Sequence, residues 1–257
     1  MAPAAVFSIM FKYQYARAAA SHIMKIFLVR HGETQWNKLG KFQGQVDVAL
    51  NQRGLAQARD AARAALAWRP AALYSSPLRR TMQVAEEVSR KVGLPVTVDP
   101  RLMELNLGEL EGATSQQMRE EWPQVYRSWR ETPGETVMPG GESMVQLRER
   151  VWQSFLEVEE THSEDEAVLM VSHNFAIRCI ISQMLGIPWS HYHGTYLDLG
   201  SLCIIETTRD ATGETTKEIT GDATGDATGE TGNFRRRLKS YNSVSHLSPE
   251  NQPSGSG

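Results

Sequence analysis

The chain has 257 residues, of which 40% are hydrophobic, so it can bury a substantial core in one large domain or two small ones. Its net charge of -3 provides no overall positive field, and we expect no nucleic-acid partner. Two cysteines are too few for a disulfide framework or a zinc site, and no apolar run is long enough to cross a bilayer. The composition favours a protein of the reducing cytoplasm with no membrane partner.

The N-terminal segment differs in composition from the rest of the chain. It is rich in alanine and contains Lys12 and Arg17 but no acidic residue. A targeting peptide is one interpretation, but Lys12, Gln14 and Arg17 interrupt the apolar stretch. We favour a disordered extension over 1–23 and expect the folded domain to cover 24–247.

The first predicted strand ends abruptly in the polar cluster Arg30-His31-Gly32. A continuous apolar run that is closed by a glycine-containing loop is typical of a buried parallel strand. Two later runs end in the same way: 71–74 leads into a segment with Arg80, and 168–171 leads into Ser172-His173-Asn174. Because ligands bind at the carboxyl ends of strands in open α/β sheets, these strand ends predict one shared site.

Helices are predicted between the strands from apolar spacing and from residues that favour helix ends. Asn51 is the predicted N-cap of a helix over 55–66. Pro77 fits the first turn of a helix over 78–92, and Gly93 is its predicted end. Further predicted elements are a strand at 96–98, short helices at 115–121 and 125–130, and longer helices at 144–161 and 175–185. The alternation of strands and helices predicts a three-layer α/β/α sandwich with a mainly parallel sheet.

The C-terminal part contains a low-complexity segment. After a predicted strand at 201–206, the sequence Thr-Gly-Asp-Ala repeats and then decays within an insertion at about 207–233. A calcium-binding repeat is the alternative, but the Gly-Gly-x-Gly-x-Asp pattern of such repeats is absent from the sequence. We expect a flexible insertion that lengthens the turn of a hairpin, with the second strand at 234–241 and a disordered tail at 248–257.

The first strand end belongs to a longer motif, Leu28-Val29-Arg30-His31-Gly32-Glu33-Thr34 followed by Trp36-Asn37. This motif resembles the signature of the histidine phosphatase superfamily, also called phosphoglycerate-mutase-like. The later motifs follow in the order of that family and are Tyr74-Ser75-Ser76-Pro77-Leu78-x-Arg80-Thr81, Leu102-x-Glu104, Gly108-Glu109-x-Glu111-Gly112, Pro139-Gly140-Gly141-Glu142-Ser143 and Val171-Ser172-His173-Asn174. Several ordered motifs make a much more specific match than any one of them alone.

The resemblance implies a phosphoryl-transfer site with three kinds of group. His31 would be the nucleophile that takes the phosphoryl group, and Glu104 would be the general acid and base. Arg30, Arg80 and His173 would bind the phosphoryl oxygens and stabilise the charge of the transition state.

The same resemblance implies further substrate-binding groups and no cofactor. Asn37, Gln43, Gly44 and Asn174 would contact the substrate beside the catalytic residues. Because arginine and histidine supply the positive charge, we expect no metal ion. The pair His191-x-His193 could bind a metal only with a third ligand, which the sequence does not indicate.

The resemblance predicts metal-independent hydrolysis of a small phosphate monoester through a phosphohistidine, as in histidine acid phosphatases. The alternative is a cofactor-dependent phosphoglycerate mutase, which would return the phosphoryl group to a substrate. A non-catalytic module that binds a phosphorylated ligand is a third interpretation, but no catalytic position is substituted. The similar branches of the family act on phosphoserine, α-ribazole phosphate, glucosyl-3-phosphoglycerate or many esters, so the substrate stays open, as does a homodimeric state.

Overall fold

The computed structural model describes residues 23–209 and 234–253. Residues 1–22 of the predicted extension, most of the predicted insertion and the last four residues lie outside the described residues. Within the described ranges, no helix combines the length and the apolar character that a membrane span requires.

In the described part of the chain, six strands form the central sheet: β1 (Met24–Arg30), β2 (Ala72–Ser75), β3 (Val96–Val98), β4 (Ala167–Ser172), β5 (Leu202–Arg209) and β6 (Phe234–Ser243). Their order across the sheet is β3-β2-β4-β1-β5-β6. The first four strands run parallel to one another, whereas β5 is antiparallel to β1 and to β6. The prediction of a mainly parallel sheet is therefore confirmed.

Helices cover both faces of the sheet. They are α1 (Gln35–Lys38), α2 (Gln52–Trp68), α3 (Arg79–Val92), α4 (Ser115–Glu121), α5 (Pro123–Glu131), α6 (Met144–Thr161) and α7 (Asn174–Met184). Side chains alternate between the two faces of a strand, so each strand contributes to two cores. Phe27 and Val29 of β1 pack with α2 and α3, whereas Ile26 and Leu28 pack with α6 and α7. This confirms the three-layer architecture.

The helix ends agree with the predicted capping residues, with one exception. The side chain of Asn51 accepts a capping hydrogen bond at the start of α2, and Gly93 ends α3 with a φ of 79°. The prediction for Pro77 is wrong, because α3 begins at Arg79 after an N-cap at Leu78. Leu78 has extended backbone, with φ -66° and ψ 138°, so the helix cannot include the proline before it.

The predicted hairpin of β5 and β6 is confirmed. Arg209, the last residue of β5, pairs with Phe234, the first residue of β6. Farther along β6, Arg236 donates to the buried carboxylate of Glu159 on α6, with Nη2 2.7 Å from Oε2. This ion pair holds the edge strand against the helical layer.

The disordered tail predicted for 248–257 is wrong for its first six residues. The helical turn Pro249–Asn251 packs against α2. The backbone N of Ser248 and the Nδ2 of Asn251 donate to the buried carboxylate of Asp60 at 2.9 and 2.7 Å. A buried carboxylate requires such donors. Nothing in the composition of the tail indicates that it binds Asp60.

The same C-terminal segment places the ring of His246 against Trp68 of α2, with 5.6 Å between the ring centroids. Burial lowers the pKa of His246 to about 4, from an ordinary value of 6.5. The folded protein therefore favours the neutral ring. The resulting contribution to stability is complete above pH 6.5 and is lost as the pH falls toward 4.

As the pH falls from 6.5 to 4, we expect the free energy of unfolding of the wild type to decrease by about 2 to 3 kcal/mol more than that of His246→Phe. Phenylalanine keeps a ring against Trp68 but cannot take up a proton. Urea unfolding at a series of pH values measures the difference. His191→Gln, which removes an exposed histidine, is the control, and parallel curves for wild type and His246→Phe would contradict the prediction.

Candidate active site

Three neighbouring strand ends meet at the site. β1 and β4 are paired as far as their last residues, Arg30 and Ser172, and β2 lies on the other side of β4. His31 follows β1 and His173 follows β4, and their ring centroids are 5.2 Å apart. Arg80 lies in the first turn of α3, the helix that follows β2. The strand order thus brings together side chains that are distant in the sequence.

His31 is fixed by the backbone around it. Its backbone N donates to the carbonyl of Ser172 at 3.1 Å, and its carbonyl accepts from the N of Gly200 at 3.0 Å. In the side chain, Nδ1 lies 2.8 Å from the carbonyl oxygen of Gly32. A carbonyl only accepts, so Nδ1 carries the proton and Nε2 keeps a lone pair. Burial, and then the charges of the two site arginines, hold the pKa of His31 well below its ordinary value, so the ring is neutral.

Arg30 and Arg80 are buried, and backbone carbonyls hold the ends of their guanidinium groups. Arg30 donates through Nη1 to the carbonyl of Leu197. Arg80 donates through Nη1 and Nη2 to the carbonyls of Val46 and Gly44, at 2.9 and 2.6 Å. The Nε of each arginine is buried and has no hydrogen-bond partner in the described part of the chain. Burial lowers the pKa of Arg80 to about 10, so it remains charged at neutral pH.

His173 contacts Ser76, a residue to which the sequence analysis assigned no role. Nε2 of His173 lies 2.8 Å from the Oγ of Ser76, whereas its Nδ1 is buried without a partner among residues 23–209 and 234–253. Oγ of Ser76 also accepts from the N of Leu78 at 3.4 Å, which leaves the hydroxyl proton free to point at His173. Burial, and then Arg80, hold the pKa of His173 well below its ordinary value. In the sequence, this role of Ser76 is indicated only by its position directly after the end of a predicted strand.

Glu104 is buried and accepts hydrogen bonds from two backbone amides. The N of Leu105 lies 3.0 Å from Oε1, and the N of Phe175, in the first turn of α7, lies 3.1 and 3.2 Å from the two carboxyl oxygens. These bonds and the site arginines favour the ionised form, but burial dominates and raises the pKa of Glu104. The site therefore contains neutral histidines beside a carboxyl group that retains its proton more strongly than an exposed one.

The four other predicted binding residues are held in different ways. Asn37 accepts from the N of Thr34 through Oδ1 at 3.0 Å, and Gln43 accepts from the Oγ1 of Thr34 through Oε1 at 3.0 Å. Gly44 contributes the carbonyl already described. Asn174 is the first residue of α7, and its Oδ1 is buried without a partner in the described ranges. Their contacts with a substrate stay a prediction.

The two histidines considered as metal ligands are exposed and have other partners. Nδ1 of His191 lies 3.1 Å from the Oγ of Ser190, and Nε2 of His193 lies 2.8 Å from the carbonyl of Trp129. Among the residues that the structure describes, no three His, Cys, Asp or Glu side chains are grouped so that they could hold a metal ion. Both cysteines, Cys179 and Cys203, are free and buried.

Known proteins resemble the chain in sequence over most of its length. The family model of the histidine phosphatase superfamily, branch 1, matches residues 26–218. The chain is 32% identical to phosphoserine phosphatase 1 of Hydrogenobacter thermophilus over 183 residues, which cover 71% of this chain and 86% of that protein. It is 36% identical to a probable phosphoglycerate mutase of Escherichia fergusonii over 166 residues, which cover 65% and 77% of the two proteins.

Solved structures share the fold. A mycobacterial glucosyl-3-phosphoglycerate phosphatase in complex with VO3 aligns with a TM-score of 0.70 and 26% identity, covering 85% of this chain and 98% of that one. The family model, the sequence relatives and the fold agree. The chain therefore belongs to the histidine phosphatase superfamily.

Proposed function

We propose that this protein hydrolyses small phosphate monoesters through a phosphohistidine on His31. One observation carries the proposal. Around His31, the Nε atoms of Arg30 and Arg80 and the Nδ1 of His173 are buried without hydrogen-bond partners among the described residues. Buried polar groups are normally satisfied, so unused nitrogens near one histidine indicate an anionic ligand with several oxygens. A phosphoryl group in transfer presents three equatorial oxygens to such donors.

His31 and Glu104 divide the bond making and the proton transfer between them. Nε2 of the neutral His31 attacks phosphorus while the bond to the ester oxygen breaks. Glu104, whose pKa is raised by burial, gives its proton to the leaving oxygen so that an alcohol departs. Water then attacks the phosphohistidine and loses a proton to Glu104, which releases inorganic phosphate and restores both groups.

The arginines and His173 stabilise the charge on the phosphoryl oxygens during both steps. Arg30 and Arg80 keep their Nε donors for these oxygens because carbonyls already occupy the other ends of the guanidinium groups. A hydroxyl proton donated by Ser76 to Nε2 of His173 leaves the ring proton on Nδ1, where it can donate to the phosphoryl group.

The named relatives support a small-molecule substrate. One is a phosphoserine phosphatase and another is a glucosyl-3-phosphoglycerate phosphatase, so both are named for small phosphate esters. The reaction proposed here is of the histidine acid phosphatase type, and it takes its positive charge from side chains of the chain itself. Release of phosphate from a panel of phosphorylated metabolites would identify the preferred ester.

We expect His31→Ala to lower the rate of phosphate release by roughly a thousandfold or more, because the nucleophile is lost. Rapid quenching of the wild type with phosphorus-labelled substrate should trap an acid-labile phosphoenzyme that the variant does not form. His191→Ala, which removes an exposed histidine, is the matched control and should behave as the wild type. A normal rate in His31→Ala would overturn the proposed function.

A phosphoglycerate mutase is the second candidate, and the 36% identity to a probable mutase favours it. A mutase must retain a bisphosphorylated intermediate, which requires cations for a second phosphate. Arg119, Arg127 and Arg130 of α4 and α5 offer such charge, but they line an exposed hollow together with Glu131 and with none of the predicted site residues. This arrangement favours hydrolysis.

Incubation of the protein with 3-phosphoglycerate and a trace of 2,3-bisphosphoglycerate separates the two candidates. We expect phosphorus NMR to show inorganic phosphate accumulating from this or a better ester, with little 2-phosphoglycerate, because water reaches the phosphoenzyme. Rapid equilibration of the two monophosphates without phosphate release would instead identify a mutase.

A further inference from the structure

The segment that carries Glu104 is held by side chains that donate to its carbonyls. Gln45 donates to the carbonyl of Glu104 at 3.0 Å and Ser172 to that of Leu102 at 2.8 Å, but Arg150 of α6 makes the largest number of these bonds. Nη1 of Arg150 donates to the carbonyls of Arg101 and Met103, both at 2.7 Å. Nη2 of Arg150 donates to the carbonyl of Glu104 itself at 2.8 Å. Three carbonyls within four residues therefore converge on one guanidinium group.

A carboxylate holds this guanidinium group in turn. Nε of Arg150 donates to Oε2 of Glu142 at 3.1 Å, and Nη2 donates to Oε1. Together with the three carbonyls, these bonds use all five N–H donors of the arginine. Oε1 of Glu142 also accepts from the N of Asn106 at 2.8 Å, so the carboxylate is tied to the same segment two residues after Glu104.

Glu142 belongs to the Pro139-Gly140-Gly141-Glu142-Ser143 motif, for which the proposed reaction gives no role. The motif packs against the backbone after Glu104: the N of Glu142 donates to the carbonyl of Asn106 at 3.0 Å, and the N of Glu109 donates to that of Pro139 at 2.9 Å. A Cβ on Gly141 would lie 2.2 Å from the oxygen of Asn106. The glycine is therefore required for the two backbones to approach so closely.

The position of this backbone determines where the carboxyl group of Glu104 lies. Its oxygens accept from the N of Leu105, in the same segment, and from the N of Phe175, on α7. A displaced segment would break one or both of these bonds. A proton donor also loses effect steeply when it is misplaced by an ångström, because the transfer requires hydrogen-bond distance to the leaving oxygen.

We propose that Arg150 and Glu142 are positioning residues that hold Glu104 at the distance needed for proton transfer. This inference rests on the proposed function, in which Glu104 is the general acid. Neither residue touches the reacting atoms, and both hold Glu104 through the backbone of 101–106. The charge of Arg150 also helps to lower the pKa of His173, an effect that is the same for every phosphate ester.

The test uses two substrates that differ in their need for an acid. The leaving group of p-nitrophenyl phosphate is a stable phenolate and departs without a proton, whereas that of glycerol 2-phosphate is an alkoxide. We expect Arg150→Met to lower kcat/KM for glycerol 2-phosphate by about 10- to 100-fold, and to leave kcat/KM for p-nitrophenyl phosphate within about threefold of wild type. A purely structural role would lower both values by the same factor.

A double-mutant cycle supplies an independent readout. If Arg150 acts through Glu104, Arg150→Met should have little further effect on glycerol 2-phosphate hydrolysis in a Glu104→Gln background. Arg148→Met is the matched control, since Arg148 lies on the same helix but over the ring of Trp189, 4.8 Å from its centroid. We expect the control to treat the two substrates alike.

Glu142→Gln is the second variant and keeps the test decisive if Arg150→Met does not fold. It retains an acceptor of the same shape but removes the charge that orients Arg150, so we expect a smaller loss that is again selective for glycerol 2-phosphate. Equal losses on the two substrates, or additive effects in the double-mutant cycle, would overturn the inference. His31→Ala with normal activity would instead overturn the proposed function, so the two failures are distinguishable.

Discussion

Burial of charge at the ends of three parallel strands is the constraint on which the rest of this structure depends. Arg30 and Arg80 are almost completely withdrawn from water, and an unpaired buried cation is costly. Carbonyls of Leu197, Val46 and Gly44 offset that cost by accepting from the outer nitrogens. Because carbonyls are neutral, the guanidinium groups keep their full positive charge for a ligand.

The same burial shifts the pKa values of the acids and bases of the site in opposite directions. It holds the pKa values of His31 and His173 below their ordinary range and raises that of Glu104. Desolvation disfavours the charged form of every group, which leaves a neutral nucleophile beside a carboxyl group that holds its proton more strongly than an exposed one. The pKa shifts that the proposed reaction requires therefore have one main physical cause, which is burial. The nearby arginines lower the pKa values of the histidines further, but they oppose the rise in the pKa of the carboxyl group.

Loops determine how exactly this set of groups is placed, and the sheet determines which groups meet. The pairing of β1 with β4 puts His31 beside His173, but neither strand holds Glu104. That residue lies between a helical turn and an irregular segment, so its position depends on side chains such as Arg150 that reach across from a helix. Loop segments of this kind carry function only when a rigid scaffold orients them.

The sequence by itself determined the α/β alternation, most helix ends and the strand ends with Arg30, His31 and His173. Their signals are local: periodicity, capping residues and short ordered motifs. Only the tertiary structure decided that Ser76 contacts His173, that Asp60 holds the C-terminal turn and that α3 begins after Pro77. It also decided which site nitrogens have no partner among the described residues. These features depend on hydrogen bonds between atoms far apart along the chain, and such bonds exist only once strand order and loop packing have set the distances between them.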